Sequence, residues 1–377
     1  MRFLSLLLLA ALGLFSACSS TNVDPPDPLA TPAASIPLLP DDRVWGTTLY
    51  GSADLPPSGT PERDLLHTAA ERGLNGFTYY VDWADLEPAP GQYTLTTFTA
   101  TLDALQQLGV RPFVNLTVGD IEDYNLPDGL SDGNGGLADG VSLDDPAVLD
   151  RFGHLLDRVV PLLLDRGGFL LGVGNEIDAR LDASSTERDA YVRFVAAARD
   201  RVHRINDRLA VGVTLTGHAI RAQSDTFQAM RAAADVVAFN HAPIQPDFFV
   251  RDVEDIRADF QDVLSAFGSG PILIQELTCP SASSMGASET WQRRCFEELF
   301  GVIVATPQIR FASVFTFQDL DEATCEAVRE VIFGDALDDL PEDVATRLAD
   351  YLCELGIVAP DGTAKPAWPT VLEAVAR

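Results

Sequence analysis

The stretch Gly172-Val173-Gly174-Asn175-Glu176-Ile177-Asp178 is where the reading of this chain turns. An apolar β-type run, Phe169–Gly174, stops there, and a polar loop begins with a glutamate. A second stretch repeats the pattern 100 residues on, where Ile272-Leu273-Ile274-Gln275-Glu276-Leu277 again brings a glutamate to the end of an apolar run. Leaving a charge at the edge of a buried run is costly unless it has a task or a partner.

Working outward, the chain past residue 42 alternates two patterns. The β-type runs are Val44–Leu49, Gly76–Val81, Arg111–Leu116, Phe169–Gly174, Leu209–Leu215, Val236–Asn240, Ile272–Gln275 and Phe311–Phe317. Nearly all are continuously apolar, as in strands buried on both faces. Between them lie helical patterns over Pro61–Arg72, Thr96–Leu108, Ala147–Arg166, Thr186–Asn206, Asp225–Ala234, Val253–Phe267 and Ser288–Val304, and a late one over Glu342–Glu354. Ser184 and Glu187 have the spacing of a capping box at the start of the fourth helix. Eight β-to-α alternations predict an α/β fold, a single (β/α)8 barrel over residues 42–377. A doubly wound sheet would carry a glycine-rich phosphate loop after its first strand, and Tyr50-Gly51-Ser52-Ala53-Asp54 has no such pattern. In a (β/α)8 barrel the chemistry gathers at the carboxyl ends of the strands, so Glu176 after strand four and Glu276 after strand seven are expected to share one rim.

The remaining composition narrows the function. The 377 residues hold 26 Lys and Arg against 56 Asp and Glu, a net charge of −30. That field repels phosphate backbones and argues against nucleic acid. Residues 1–17 read as a signal peptide, with Arg2 ahead of the apolar run Phe3–Phe15. Ser16-Ala17-Cys18 reads as a bacterial lipobox that makes Cys18 the lipidated residue, and residues 18–41, rich in Pro, Ser, Thr, Asp and Ala, read as a disordered tether. Ser19 fits outer-membrane export by resemblance to known lipoproteins. The expected setting is the cell envelope, with the membrane reached through the N-terminal lipid. The other four cysteines, Cys279, Cys295, Cys325 and Cys353, suggest two disulfides in an exported chain. Three pairings are possible; Cys279–Cys295 with Cys325–Cys353 closes the shortest loops. No metal site is expected. Asp128-Gly129-Leu130-Ser131-Asp132-Gly133-Asn134 fails the EF-hand ligand spacing, and nothing indicates a phosphate, nicotinamide or haem cofactor.

Several motifs together resemble the (β/α)8 glycoside hydrolases of clan A. These are Asn175-Glu176 after strand four, Glu276 after strand seven, Trp83-Ala84-Asp85-Leu86-Glu87-Pro88-Ala89-Pro90-Gly91-Gln92-Tyr93 after strand two, and Gly362-Thr363-Ala364-Lys365-Pro366-Ala367-Trp368 near the end. The Gly-Asn-Glu-Ile run is most similar to arabinogalactan endo-galactanases of family 53, with families 5 and 39 as further resemblances. The resemblance implies a retaining glycosidase acting on β-linked carbohydrate, with Glu176 as acid/base and Glu276 as nucleophile. Asn175 would then donate to a substrate hydroxyl. His241, in Phe239-Asn240-His241-Ala242-Pro243, stands where the clan has a tyrosine touching the nucleophile. Phe317 stands where it has a tryptophan under the sugar, and strand two has no arginine near the nucleophile. Trp83 and Phe317 are expected to stack on sugar. Asn115 is expected to bind substrate; with Asp120 it ends strand three and begins the loop Gly119–Pro146, expected at outer subsites, and Asp319 and Asp321 after strand eight are expected at the substrate rim. Glu87 and Pro88 are expected to be structural. The departures at strands two, six and eight also admit a barrel that binds glycan without turning it over.

Overall fold

The computed structural model describes residues 39–40, 42–49, 59–329 and 340–377, without the side chain of Glu62. The segments expected to be a signal peptide and tether, with Cys18, lie outside the described residues apart from residues 39–40.

Eight parallel strands close into a barrel. They are β1 (Val44–Thr47), β2 (Leu74–Asp82), β3 (Arg111–Thr117), β4 (Leu170–Gly172), β5 (Ala210–Thr216), β6 (Val236–His241), β7 (Ile272–Leu277) and β8 (Ile309–Val314). Each of the eight expected runs supplies one strand, and β8 pairs back onto β1 through Val44 and Phe311. The outer ring is α1 (Pro61–Glu71), α2 (Thr96–Gln107), α3 (Pro146–Asp165), α4 (Ser185–Ile205), α5 (Asp225–Ala233), α6 (Val253–Ser265), α7 (Glu289–Ala305) and α8 (Ala367–Val375).

Local chemistry sets the helix starts. The Thr60, Ser184, Ser224 and Ser288 hydroxyls accept from backbone N–H groups of the first turn, and Pro61 and Pro146 occupy first-turn positions where no N–H is needed. The expected late helix is present after β8. The late helix, Glu342–Cys353, does not close the ring. It belongs to an excursion after β8 and packs near Ser283–Met285. The closing helix is α8, which packs on α7 and brings the Val375 carbonyl to Gly73, behind α1.

The lower barrel interior is a plug of Val44, Phe113, Leu170, Ala210, Val236, Leu273 and Phe311. Phe113 and Phe169 meet the Phe311 ring at centroid distances of 5.7 and 5.5 Å. Gly46 makes room for that ring, because a Cβ there would fall 2.7 Å from it. Among the described residues, no helix is long and apolar enough to cross a membrane.

Both disulfides form with the shortest-loop pairing, Cys279–Cys295 and Cys325–Cys353. The first ties the chain just past β7 to α7, and the second ties the segment after β8 to the Glu342–Cys353 helix.

Candidate active site

The upper barrel interior is polar. Asn115 on β3, Thr214 on β5 and Gln275 on β7 are fully buried and meet at one point. Asn115 Nδ2 and Thr214 Oγ1 both donate to Gln275 Oε1, at 2.7 and 2.6 Å. Gln275 Nε2 donates to Asn175 Oδ1 at 2.7 Å, and Asn240 Nδ2 donates to the same oxygen at 3.2 Å. Asn175 Nδ2 then donates to Asp120 Oδ1 at 2.9 Å. This chain of side chains joins five strand ends beneath the mouth.

Glu176 and Glu276 sit on top of that network. Adjacent strand residues normally face opposite sides, so Gln275 and Glu276 should not both point inward. The register of β7 slips on both flanks. Ile274 pairs with Phe239 and Ala312, but Glu276 pairs with Asn240, and Leu277 with Val314. An extra residue of this kind re-aims side chains, a common device beside active sites. It lets Gln275 bind the network while Glu276 receives the Tyr80 O–H at 2.5 Å. At the β4 end Glu176 adopts φ 47°, a left-handed conformation uncommon for a non-glycine residue. A backbone bridge holds the turn: Asn175 N–H donates to Gly119 O and Ile121 N–H donates to Asn175 O, both at 2.9 Å.

The electrostatics set the two carboxylates apart. Burial raises Glu176 well above the usual carboxylate range, the charges of Glu276, Asp178 and Asp120 raise it further, and the Asn240 amide opposes. Burial also raises Glu276, but the Tyr80 hydrogen bond pulls it back, with the Asn240 and Gln275 amides acting in the same direction against the charge of Asp120. The pair is coupled: ionising one makes the other harder to ionise. Two more buried acids surround it. Burial pushes Asp120 to about 6 even though Asn175 donates to it, and pushes Asp178 to about 7 even though the Thr216 hydroxyl and N–H both donate to it. Among the described residues, no group of three or more His, Cys, Asp or Glu is arranged to hold a metal ion.

Several sequence expectations move. Glu176, Glu276, Asn175 and Asp120 do come together. Asn175 is committed on both ends of its amide, so its free hydrogen-bonding capacity for a substrate is smaller than expected. Asn115 is a fully buried positioning group below the mouth, since side chains in mid-strand are roofed by those above. His241 does not approach Glu276. It neighbours Asn240 in sequence and therefore faces the other side of β6, onto the Phe260 ring of α6 at 4.7 Å. Burial, with Arg221 and Arg251 nearby, lowers it to about 3, so it is neutral, and its Nε2 lies 3.9 Å from Asp259, beyond hydrogen-bond reach. Trp83 stacks on no open face. It is fully buried against Phe152 and Phe194, with its indole N–H on Glu87 at 2.8 Å. Phe317 is likewise core, edge-on to Trp368. Asp319 is consumed by the buried Lys365 ammonium at 2.6 Å and the Gly356 N–H. Glu87 is structural as expected, bonded to Trp83, Gly91 N–H and Arg151.

Tyr80, Asn240 and Gln275 were not singled out by the sequence reading. Tyr80 was detectable. Thr78, Tyr80 and Asp82 alternate with Phe77, Tyr79 and Val81, so the two-residue period puts the polar set on one face of β2.

Comparison with known proteins agrees with this architecture. No protein-family model matches the chain, and no curated protein sequence does. Solved structures do. An exo-β-1,4-mannosidase, Op5Man5, from Opitutaceae bacterium strain TAV5 superposes with a TM-score of 0.62 at 18% identity, over 88% of this chain and 59% of the other. A GH5_18 protein from Streptomyces cattleya in complex with GlcNAc gives 0.63 at 16% identity, over 89% and 80%. A family 39 glycoside hydrolase from Bacteroides cellulosilyticus WH2 gives 0.58 at 12%, over 89% and 64%. The shared feature is the barrel. The chain spans 59% of the mannosidase's length. Of the families that the sequence resembles, 5 and 39 are represented among these structures.

Proposed function

We propose that this protein is a retaining glycoside hydrolase acting on β-linked sugars, with Glu276 as nucleophile and Glu176 as acid/base. The observation that carries the reading is the inequality within one buried carboxylate pair. Both are raised by burial, but Glu276 accepts the Tyr80 O–H at 2.5 Å, while Glu176 is raised further by the charges of Glu276, Asp178 and Asp120. When a single proton is shared, it resides on Glu176. Two carboxyl groups with separated proton affinities on one rim are what acid-assisted glycoside cleavage requires.

In the first step Glu276 attacks the anomeric carbon while Glu176 gives its proton to the leaving oxygen. Esterification removes the Glu276 charge, which is one cause of the raised Glu176 affinity. Glu176 then gives up its proton more readily and, once ionised, can take a proton from water for the second step. The similar structures include a β-1,4-mannosidase and a GH5_18 variant complexed with Manβ1-4GlcNAc, so β-mannosides head the substrates to try. The alternative is glycan binding without turnover, motivated by the burial of Trp83 and Phe317, which removes two expected sugar platforms.

Azide decides the roles. With Glu176→Ala and an activated aryl β-glycoside, azide attacks the glycosyl-enzyme and yields the β-azide. With Glu276→Ala it enters the vacated space and yields the α-azide. The reverse stereochemistry would exchange the roles. Binding of a glycan panel with no reducing sugar released by the wild type would favour the alternative.

Tethering to the envelope through Cys18 is part of the same proposal, resting on Ser16-Ala17-Cys18 and the Pro-rich stretch behind it. Cys18→Ala should release the protein from the membrane fraction; retention would refute the anchor.

A further inference from the structure

We infer that Tyr80, on β2, is the positioning residue that holds one oxygen of Glu276 and leaves the other to attack. The inference rests on the glycosidase reading above. Thr78 Oγ1 donates to Ser313, Asp82 accepts from Thr117 and Asn125, and Tyr80 between them reaches across the mouth to Glu276 Oε1 at 2.5 Å. This distance is that of a short, charge-assisted O–H to carboxylate bond. The phenol stays protonated, because burial and the neighbouring Glu276 charge raise it well above its usual range. It is therefore a donor throughout the working pH range.

The consequence is a division of labour between the two carboxylate oxygens. Oε1 keeps the Tyr80 hydrogen bond. Oε2 forms the bond to the anomeric carbon as the bond to the leaving oxygen breaks and the Glu176 proton moves to that oxygen. No co-reactant is needed. The groups facing Glu276 from the surrounding elements are Tyr80 from β2, Asp120 from the antiparallel pair Gly119–Asp120 and Asp123–Tyr124 after β3, Glu176 after β4, Asn240 from β6 and Gln275 within β7. Among the described residues, only Tyr80 reaches Glu276 from β2, and its O–H makes no other hydrogen bond. His241 faces away, so no side chain at the end of β6 beyond Asn240 duplicates it.

The experiment compares wild type with Tyr80→Phe, which removes only the donor. In that variant the acid limb of the kcat/KM profile, set by ionisation of Glu276, should move up by roughly one pH unit, since a hydrogen bond to a charged group contributes about that much. Near neutrality kcat/KM should fall about tenfold or more, while the thermal midpoint holds. A limb that stays in place with kcat/KM within twofold would overturn the inference. Fluorotyrosine incorporated at position 80, a stronger donor, should move the limb the opposite way; it tests the same bond should Tyr80→Phe fold poorly. A second readout needs no turnover. With 13C-carboxyl glutamate, the Glu276 resonance, assigned by its loss in Glu276→Gln, should titrate higher in Tyr80→Phe. If the wild type cleaves no glycoside, the proposed function fails, and this titration still judges Tyr80: an upward shift supports the assigned hydrogen bond, and an unchanged midpoint overturns it.

Discussion

The barrel interior has two floors built by the same strands. On β3, Phe113 faces the lower one and Asn115 the upper. On β7, Leu273 faces the lower and Gln275 the upper. The lower floor is a dry plug of aromatic and aliphatic groups around Phe311, held by area and shape. The upper floor is a connected set of amides and hydroxyls that pair with one another, since unpaired polar groups in a low-dielectric interior are costly, and it leaves the Asn115 and Asn240 amide oxygens without a partner. The lower floor gives stability with no directional demand. The upper floor gives direction, and through it a fixed arrangement of carboxylates that burial alone would oppose. The same burial that is harmless to Phe311 pushes Glu176, Glu276, Asp120 and Asp178 toward their neutral forms.

The largest effect that separates the floors should come from Phe311→Ala. Truncating a fully buried aromatic costs about 3–5 kcal/mol, so urea denaturation should show a loss of that order. Activity per folded molecule should stay within about twofold, because the ring belongs to the lower cluster with Phe113 and Phe169. A large loss of activity in the folded variant would mean that the floors are mechanically coupled.

Gln275→Ala inverts the pattern. It leaves the Asn115 amide and the Thr214 hydroxyl without their acceptor and takes a donor from Asn175. A stability loss of about 1–3 kcal/mol is expected. Misplacing the rim should cost roughly ten- to a hundredfold in kcat/KM. A stability loss with unchanged kinetics would show that the network supports the fold and not the site.

The smallest expected effect is in the pH dependence of stability. Asp178 at about 7 and Asp120 at about 6 hold protons more tightly folded than unfolded. Their stabilising contribution is present in full below the unfolded carboxylate range and is lost as pH rises through the folded values. Unfolding free energy should thus fall as pH rises from about 4 to about 7. Surface carboxylates such as Asp157, lowered by its Arg201 hydrogen bond, act in the opposite sense but titrate below that window. Asp178→Asn should flatten the slope in chemical denaturation at a series of pH values. An unchanged slope would assign the dependence to other groups.

Much of this arrangement was legible in the chain. Apolar runs of strand length separated by helical periods give the barrel, because two-sided burial leaves no other pattern. Glutamates stranded at the ends of two such runs mark the rim. The readings that failed share one cause. Trp83, Phe317 and Asp319 lie near strand ends in sequence, but burial by α3, α4, α8 and Lys365 closes them off. Proximity along the chain does not say which face a residue presents.

Sequence by itself determined the barrel, the shared rim of Glu176 and Glu276, and the four cysteines for two bridges, since these follow from period, run length and composition. Tertiary structure decided the rest. A one-residue slip in β7 turns Gln275 and Glu276 to the same side, and alternation sends Asn240 inward and His241 outward. Tyr80 meets Glu276 across 196 residues of separation, only because closing the barrel sets β2 opposite β7. Register and closure are properties of strands paired in space, and the energy that fixes them is spread over all eight.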